Sequence, residues 1–270
     1  MTFSSAMESN AGGRASNQDA IRMAESGACR CWVIADGLGG HCDGPVAATL
    51  ACDAFIAGFT QFAECSPEAM LTYIGMANRA IREAQHSGNA ADTPASPFVE
   101  GMRPAMASTI AALVATKYAF VSGHCGDSRL YHLHRGSIRY QTRDHSMVQA
   151  MVDAGDLAPR AMATHPDRNR LLRCLGEHDH PQAETTACPM ALAPGDAFLL
   201  ATDGFWEHVM AREIEAEFAK AAAPEAWLHG MLIRLRRRVF AVKRIDGGPS
   251  PGHDNYSAIA VHTLGEAPRQ

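Results

Sequence analysis

Apolar positions along the chain change rhythm several times. Residues 31–36 read Cys31-Trp32-Val33-Ile34-Ala35-Asp36, five apolar residues running into a carboxylate, with glycines following at 37, 39 and 40. So short and unbroken a run predicts a strand buried on both faces. Residues 46–62 and 67 to about 85 switch to helical spacing. Pro45 stands where the first of these helices can begin, and Ser66-Pro67-Glu68 supplies an N-cap and a first-turn proline for the second. Residues 86–104 contain Gly, Ser, Asn and three prolines, which predicts an exposed loop. From Met106 the period is that of strands. Residues 108–116, 117–123, 128–134 and 137–142 read as successive antiparallel strands, with Arg135-Gly136 as the tight turn between the last two.

Further on, Asp144-His145-Ser146 caps a helical segment, 147–154, that stops at Gly155. Residues 158–170 are polar and irregular, with a break at His165-Pro166, and 171–176 form a short apolar piece. Strand character resumes at 182–188 and at 197–201. Helices are predicted at about 211–222 and from Pro224 to about 242. A Gly/Pro loop at 246–253 leads to Asp254, which opens the final strand, 256–261. Residues 234–244 carry six basic side chains among Leu, Val and Phe. The helix dipole favours cations at that end, so the run reads as a solvated face, with a docking patch as the alternative. There is no repeat and no interdomain linker, and one domain with strands between helix pairs fits best.

Composition changes this picture little. The 270 residues are 47% hydrophobic and 20% charged, as in an ordinary globular protein, and the net charge of −5 argues against a general nucleic-acid binder. Residues 1–14 are Ser/Asn/Gly-rich and lack the apolar core of a signal peptide. The longest weakly polar stretch, 107–123, is interrupted by Lys117 and is too short to span a bilayer, so the expected location is the cytoplasm. None of the eight cysteines forms a C-x-x-C pair. Free thiols in a reducing compartment are expected. The thirteen histidines show no metal-ligand spacing, and His132 and His134 share one strand face, partly exposed.

The candidate chemistry lies in the carboxylates at strand ends. Asp36-Gly37 closes the first buried strand, Asp203-Gly204 follows the strand at 197–201, Asp127 follows the strand at 117–123, and Asp254 opens the last. An aspartate at the lip of a buried strand needs a partner, and a cation suits it. Any single Asp-Gly is more simply a polar turn. Recurrence at four strand ends favours a cage for hard divalent metals. Earlier in the chain, Arg14 and Asp19 lie five apart in a Gly-rich segment. They can place a phosphate fork and a metal-associated carboxylate in one site, or form an exposed salt bridge.

These motifs have a familiar order. Arg14-x-x-Asn17-Gln18-Asp19, Asp36-Gly37-Leu38-Gly39-Gly40, Ser108-Thr109, Gly126-Asp127-Ser128-Arg129, Asp144-His145-Ser146, Leu172-x-Cys174-Leu175-Gly176, Asp203-Gly204-Phe205-Trp206 and Asp254-Asn255 resemble those of the metal-dependent protein phosphatases (PPM, protein phosphatase 2C family). The compact bacterial serine/threonine members are the nearer resemblance, from about residue 12 to 261. It implies an α+β fold, a four-layer α-β-β-α sandwich of two antiparallel sheets flanked by helix pairs, with residues 1–270 as one phosphatase domain and a flap at about 146–170. Both metals, Mn²⁺ or Mg²⁺, are then expected at one end of the sandwich. Asp36 would bridge them, the Gly37 carbonyl would help hold one, and Asp203 and Asp254 the other. Asp19 would join this site. Asp127, with Asp203, matches the position of a weaker third ion, although a salt bridge to Arg129 or a turn cap would explain it too. Arg14 matches the arginine that grips the substrate phosphate, so Arg14 and Asp36 are the expected catalytic residues.

The implied activity is hydrolysis of phosphoserine and phosphothreonine on proteins by a metal-activated water, opposing a bacterial Ser/Thr kinase. The alternative is a catalytically weak regulator of the same fold that binds phosphoproteins or a kinase. Phosphoprotein substrates, a kinase partner, a monomer, and neither nucleic acid nor membrane complete the expectation. Two positions depart from the family pattern. Gln18 stands where many members have glutamate, which implies weaker metal binding. Leu38 stands where eukaryotic members place a histidine, so the leaving serine must take its proton from solvent or another group.

Overall fold

The computed structural model describes residues 1–39, 43–87, 106–245 and 253–264. Its elements are β1 (Thr2–Asn10), β2 (Asp19–Ser26), β3 (Cys29–Leu38), α1 (Asp43–Phe62), α2 (Pro67–Ser87), β4 (Ala107–Ser108), β5 (Ile110–Ala115), β6 (Ala119–Cys125), β7 (Arg129–His134) and β8 (Ser137–Gln141). There follow α3 (Met147–Ala154), a 3-10 turn (Pro159–Thr164), β9 (Glu184–Thr185), β10 (Met190–Ala191), β11 (Asp196–Ala201), α4 (Asp203–Trp206), α5 (Ala211–Phe218), α6 (Pro224–Ile245) and β12 (Tyr256–Leu264). Gly40, Cys42 and residues 88–104 of the loop expected at 86–104 lie outside the described residues, while 86 and 87 continue α2.

Two sheets form, in the orders β1-β12-β11-β7-β8 and β10-β6-β5-β3-β2, with β4 added to β3 and β9 to β6. Every strand pair is antiparallel. Period-2 alternation explains the layers. On β3, Trp32 and Ile34 point between the sheets and meet Leu113, Phe198, Leu200 and Ile259. Cys31, Val33 and Ala35 point the other way, onto Ala48, Ala51, Phe55 and Tyr73 of α1 and α2. The opposite sheet buries Leu199, Ala201 and Ala258 against Ile214, Trp227, Met231 and Leu235 of α5 and α6. Three apolar layers between four layers of structure give the α-β-β-α sandwich.

Helix α1 is 20 residues long and is long and apolar enough to cross a membrane by length and composition alone. Packing on α2 and the sheet accounts for that apolarity, since Ala47, Ala48, Ala51, Cys52, Phe55 and Phe59 are buried. Ser66 caps α2, its Oγ accepting from the Ala69 N–H at 3.2 Å. Ser146 caps α3, which ends at Gly155 with φ 83°. Arg135 and Gly136, at φ 52° and 84°, make the predicted hairpin turn.

Several expectations fail in instructive ways. Residues 2–10, polar in composition, form an edge strand that pairs with β12 along its whole length. The strand at 128–134 does not pair with the one before it. The chain crosses at Gly126–Ser128 from one sheet to the other, and β7 pairs with β8 and β11. Of the expected strand at 182–188 only two residues pair with β6. The basic run on α6 is not simply solvated, because Arg234 and Arg238 bond to Glu213 of α5 at 3.0 and 2.7 Å. His132 and His134 are partly exposed as expected, and both turn toward the buried Asp196, at 3.2 and 2.7 Å. The seven described cysteines are free.

Candidate active site

One end of the sandwich gathers the strand-end carboxylates. Asp19 opens β2 and stands directly across the ladder from Asp36 on β3. The Asp36 backbone is fixed on its other side. Its N–H donates to Thr109 Oγ1 at 3.0 Å, and its carbonyl accepts from the Thr109 N–H and from Ser108 Oγ at 2.8 and 2.9 Å. Ser108-Thr109, a motif without an assigned role in the sequence, is the brace of the central aspartate.

Gly37 is glycine because nothing larger fits. A Cβ there would lie 1.8 Å from the Gly44 carbonyl oxygen at the start of α1. Gly204 meets the same limit, 2.0 Å from the Asn255 carbonyl, and so α4 and the start of β12 press together and bring Asp203 beside Asp254. Asp203 Oδ1 accepts from the Gly204 N–H at 2.6 Å, and Asp254 Oδ1 accepts from the Asn255 N–H at 2.9 Å.

Burial and mutual repulsion shape the charges. The Asp36 carboxyl is pushed well above the usual carboxylate range by burial, and then by Asp203, Asp19, Asp127 and Asp254. Asp203 is raised in the same way by burial and by Asp127, Asp254 and Asp19. Burial lifts Asp19 to about 7 and Asp127 to about 7, with Asp144 adding to the effect on Asp127. Asp19 Oδ2 accepts from Thr202 Oγ1 at 2.9 Å, but Oδ1 is buried without a hydrogen-bond partner. An orphaned carboxylate oxygen among four further carboxylates is an anionic site that lacks its counter-charge. Hard divalent cations fit this all-oxygen donor set.

Arg14 reaches the same place from the Gly-rich loop, with Nη2 3.0 Å from Asp254 Oδ2 and both side chains substantially exposed. That loop is held by Asn255, which the sequence reading named without a role. Its Nδ2 donates to the carbonyls of Ala11 and Ser16, both at 2.9 Å, and its Oδ1 accepts from the Gln18 N–H at 2.8 Å. An asparagine just before a buried strand, next to a candidate ligand, was the available signal. Arg129, weighed above as a partner for Asp127, instead grips Asp144 with two bonds of 2.8 and 2.7 Å.

A second cluster lies outside this site. His124, His145 and Glu184 bring ligand-type atoms within 4.8 Å of one another. The two imidazoles are stacked, however, with centroids 4.5 Å apart and planes 22° from parallel. Rings face to face point their in-plane lone pairs side by side, not at one point. One nitrogen of each ring is also engaged, since His124 Nε2 bonds to the Arg143 carbonyl at 2.8 Å and His145 Nδ1 accepts from the Gly126 N–H at 3.2 Å. Glu184 Oε1 already pairs with Arg173 at 3.0 Å. The trio does not make a convergent cation site.

Comparison with known proteins agrees with the architecture. A sequence profile described as protein phosphatase 2C matches residues 8–232. The serine/threonine protein phosphatase PstP of Mycobacterium tuberculosis is 33% identical over 196 residues, which is 73% of this chain and 35% of PstP. This chain thus spans about a third of that relative's length. Protein phosphatase PhpP of Streptococcus pneumoniae is 30% identical over 207 residues, covering 74% of this chain and 78% of PhpP. The crystal structure of the PstP catalytic domain in complex with two manganese ions superposes with a TM-score of 0.73 at 23% identity, covering 97% of this chain and 99% of that one. By profile, relatives and fold, the chain belongs to the protein phosphatase 2C family.

Proposed function

We propose that this chain hydrolyses phosphoserine and phosphothreonine on proteins, in opposition to a Ser/Thr kinase. The observation that carries the proposal is the convergence of Asp19, Asp36, Asp127, Asp203 and Asp254 on one another, each of the first four raised by burial and by neighbouring carboxylates. Two Mn²⁺ or Mg²⁺ ions would be held by Asp36 between them, by the Gly37 carbonyl, and by Asp203 and Asp254, with Asp19 beside them and Asp127 serving a weaker third ion. When bound, such ions acidify a water and neutralise phosphoryl oxygens.

The chain's own groups do the rest. Ser108 and Thr109 hold the Asp36 backbone in place at the site. Arg14, whose side chain is tied among the described residues to an exposed carboxylate, can turn its planar fork onto a phosphate. Residues 146–170 form the flap beside the site, tied back through Arg168 to Glu207 at 3.3 Å, and would shape the channel for the substrate protein. We read residues 1–270 as one catalytic domain, acting as a cytoplasmic monomer on phosphoproteins and not on nucleic acid or membrane. The test is turnover of p-nitrophenyl phosphate and of phosphothreonine peptides with Mn²⁺. Release of phosphate from both, abolished by EDTA, supports the proposal. Phosphopeptide binding without turnover would instead identify a regulator of the same fold.

A further inference from the structure

The turn that carries Asp127 is gripped by residues that the proposed reaction does not otherwise use. Gly126 has φ 104°, a conformation open to glycine but not one that fixes the next residue. Both of its backbone groups bond to a single residue. Its carbonyl accepts from the His145 N–H at 2.9 Å, and its N–H donates to His145 Nδ1 at 3.2 Å. Beyond it, the Asp127 carbonyl accepts from the Trp206 indole N–H at 2.9 Å. Trp206 carries the Arg129 guanidinium 3.4 Å from its ring centroid. Arg129 is bonded twice to the buried Asp144, the residue before His145. The contacts close a ring: Asp127, Trp206, Arg129, Asp144, His145, Gly126.

The ring joins three separate parts of the fold. Gly126–Ser128 is the crossing between the two sheets, Trp206 ends the helix that begins at Asp203, and Asp144–Ser146 leads into α3 and the flap. An aspartate has two side-chain torsions, so the placement of its carboxylate follows its backbone closely. A cation held by one or two carboxylates and otherwise by water is sensitive to that placement, because no other protein ligand compensates. His145 fits the part as a bond acceptor. Accepting the Gly126 N–H at Nδ1 puts the ring proton on Nε2, which faces Glu184 Oε1 at 3.2 Å.

We infer that Trp206 and His145 are positioning residues that hold the Asp127 carboxylate where its cation requires it, and that the Arg129–Asp144 pair carries this hold to the base of the flap. The inference rests on the reading of Asp127 as the ligand of a weak third ion. Calorimetric titration of the full chain with Mn²⁺ tests it. Trp206→Phe keeps an aromatic ring beneath Arg129 and removes the indole N–H along with part of the larger ring. His145→Ala removes the acceptor at Gly126, whereas His145→Asn supplies an oxygen close to the place of Nδ1.

Trp206→Phe and His145→Ala should each weaken the weakest Mn²⁺ event about five- to tenfold, the scale of one hydrogen bond's net contribution, and leave the stronger events unchanged. His145→Asn should restore wild-type affinity, and Trp206→Phe should add nothing in an Asp127→Asn background. If Asp127→Asn removes the weak event while Trp206→Phe and His145→Ala keep it at wild-type affinity, the positioning role is wrong. Uniform weakening of all events, together with a lower melting temperature in EDTA, would also overturn it, by showing a general loss of structure. If Asp127→Asn itself leaves the weak event intact, the ligand reading has failed, and the inference falls with it.

Discussion

The carboxylate cluster should make the metal-free protein less stable than it need be, and Asp127→Asn measures by how much. Asp127 is 6% exposed, and its carboxyl is pushed from the ordinary 3.8 up to about 7 by burial and then by Asp144. A raised carboxyl favours the neutral form in the fold, so its cost is absent below pH 3.8 and grows as pH rises toward 7. Three pH units at about 1.4 kcal/mol each set a ceiling of about 4 kcal/mol above pH 7. Asparagine has nearly the same shape and no charge to bury. In EDTA at pH 8 the variant should therefore melt higher than the wild type, by about 2 °C for each kcal/mol recovered in a chain of this size. At pH 4 the two should melt together. Excess Mn²⁺ should narrow the gap, since the wild type gains the binding free energy of every ion and the variant lacks one. Scanning calorimetry at the two pH values checks this. A variant that melts no higher at pH 8, or higher by the same margin at pH 4, would refute the electrostatic account.

Three further outcomes follow from the same geometry. Asp36→Asn should fold but lose at least 100-fold in phosphopeptide turnover, an order of magnitude typical of removing a central electrostatic group, as read by phosphate release with Mn²⁺. Arg14→Ala should raise KM for phosphopeptides, and lower kcat if the guanidinium grips harder at the transition state, with Mn²⁺ affinity nearly unchanged; normal kinetics would make Arg14 a surface residue. Glu213 is the acidic centre of the α5–α6 contact, lowered from 4.5 to about 2 chiefly by its bonds to Arg238. Its contribution, at most about 3 kcal/mol before solvent screening, is present above pH 4.5 and is lost as pH falls toward 2, so denaturant melts of Glu213→Gln should differ most from wild type above pH 5 and converge with it near pH 2.

The parts of the fold legible in the sequence are those whose signal is local. Five apolar residues running into Asp36 describe a doubly buried strand, and Ser66-Pro67 and Ser146 with Gly155 mark helix ends by their own capping chemistry. What was illegible depends on partners far along the chain. Residues 2–10 are mostly small and polar, and they become a strand because β12, more than 240 residues on, offers an edge to pair with. Strand periodicity identifies β6 and β7 but cannot say that the chain changes sheets between them. Arg234 and Arg238 look like a solvated run until α5 brings Glu213 and Glu217 against them. In the site, the aspartates could be seen because each ends a strand. The parts played by Asn255, Thr202 and Trp206 could not be read in advance, because each acts through a bond to another segment's backbone or carboxylate.

Arg14 shows how the two kinds of information combine. The sequence left open whether it belongs to a phosphate site or to an exposed salt bridge, and the structure contains the salt bridge, to Asp254 across 240 positions. The two readings do not compete. With the two side chains 54% and 36% exposed, a single bond between them contributes about 0–1 kcal/mol, too little to hold the guanidinium against a dianionic phosphate. What fixes Arg14 near the carboxylates is the Asn255 clamp on the loop backbone, made of three partly buried bonds. The loop is thus held firmly while its arginine is held loosely. That is the arrangement expected of a group that must wait beside an anionic site for an anionic substrate.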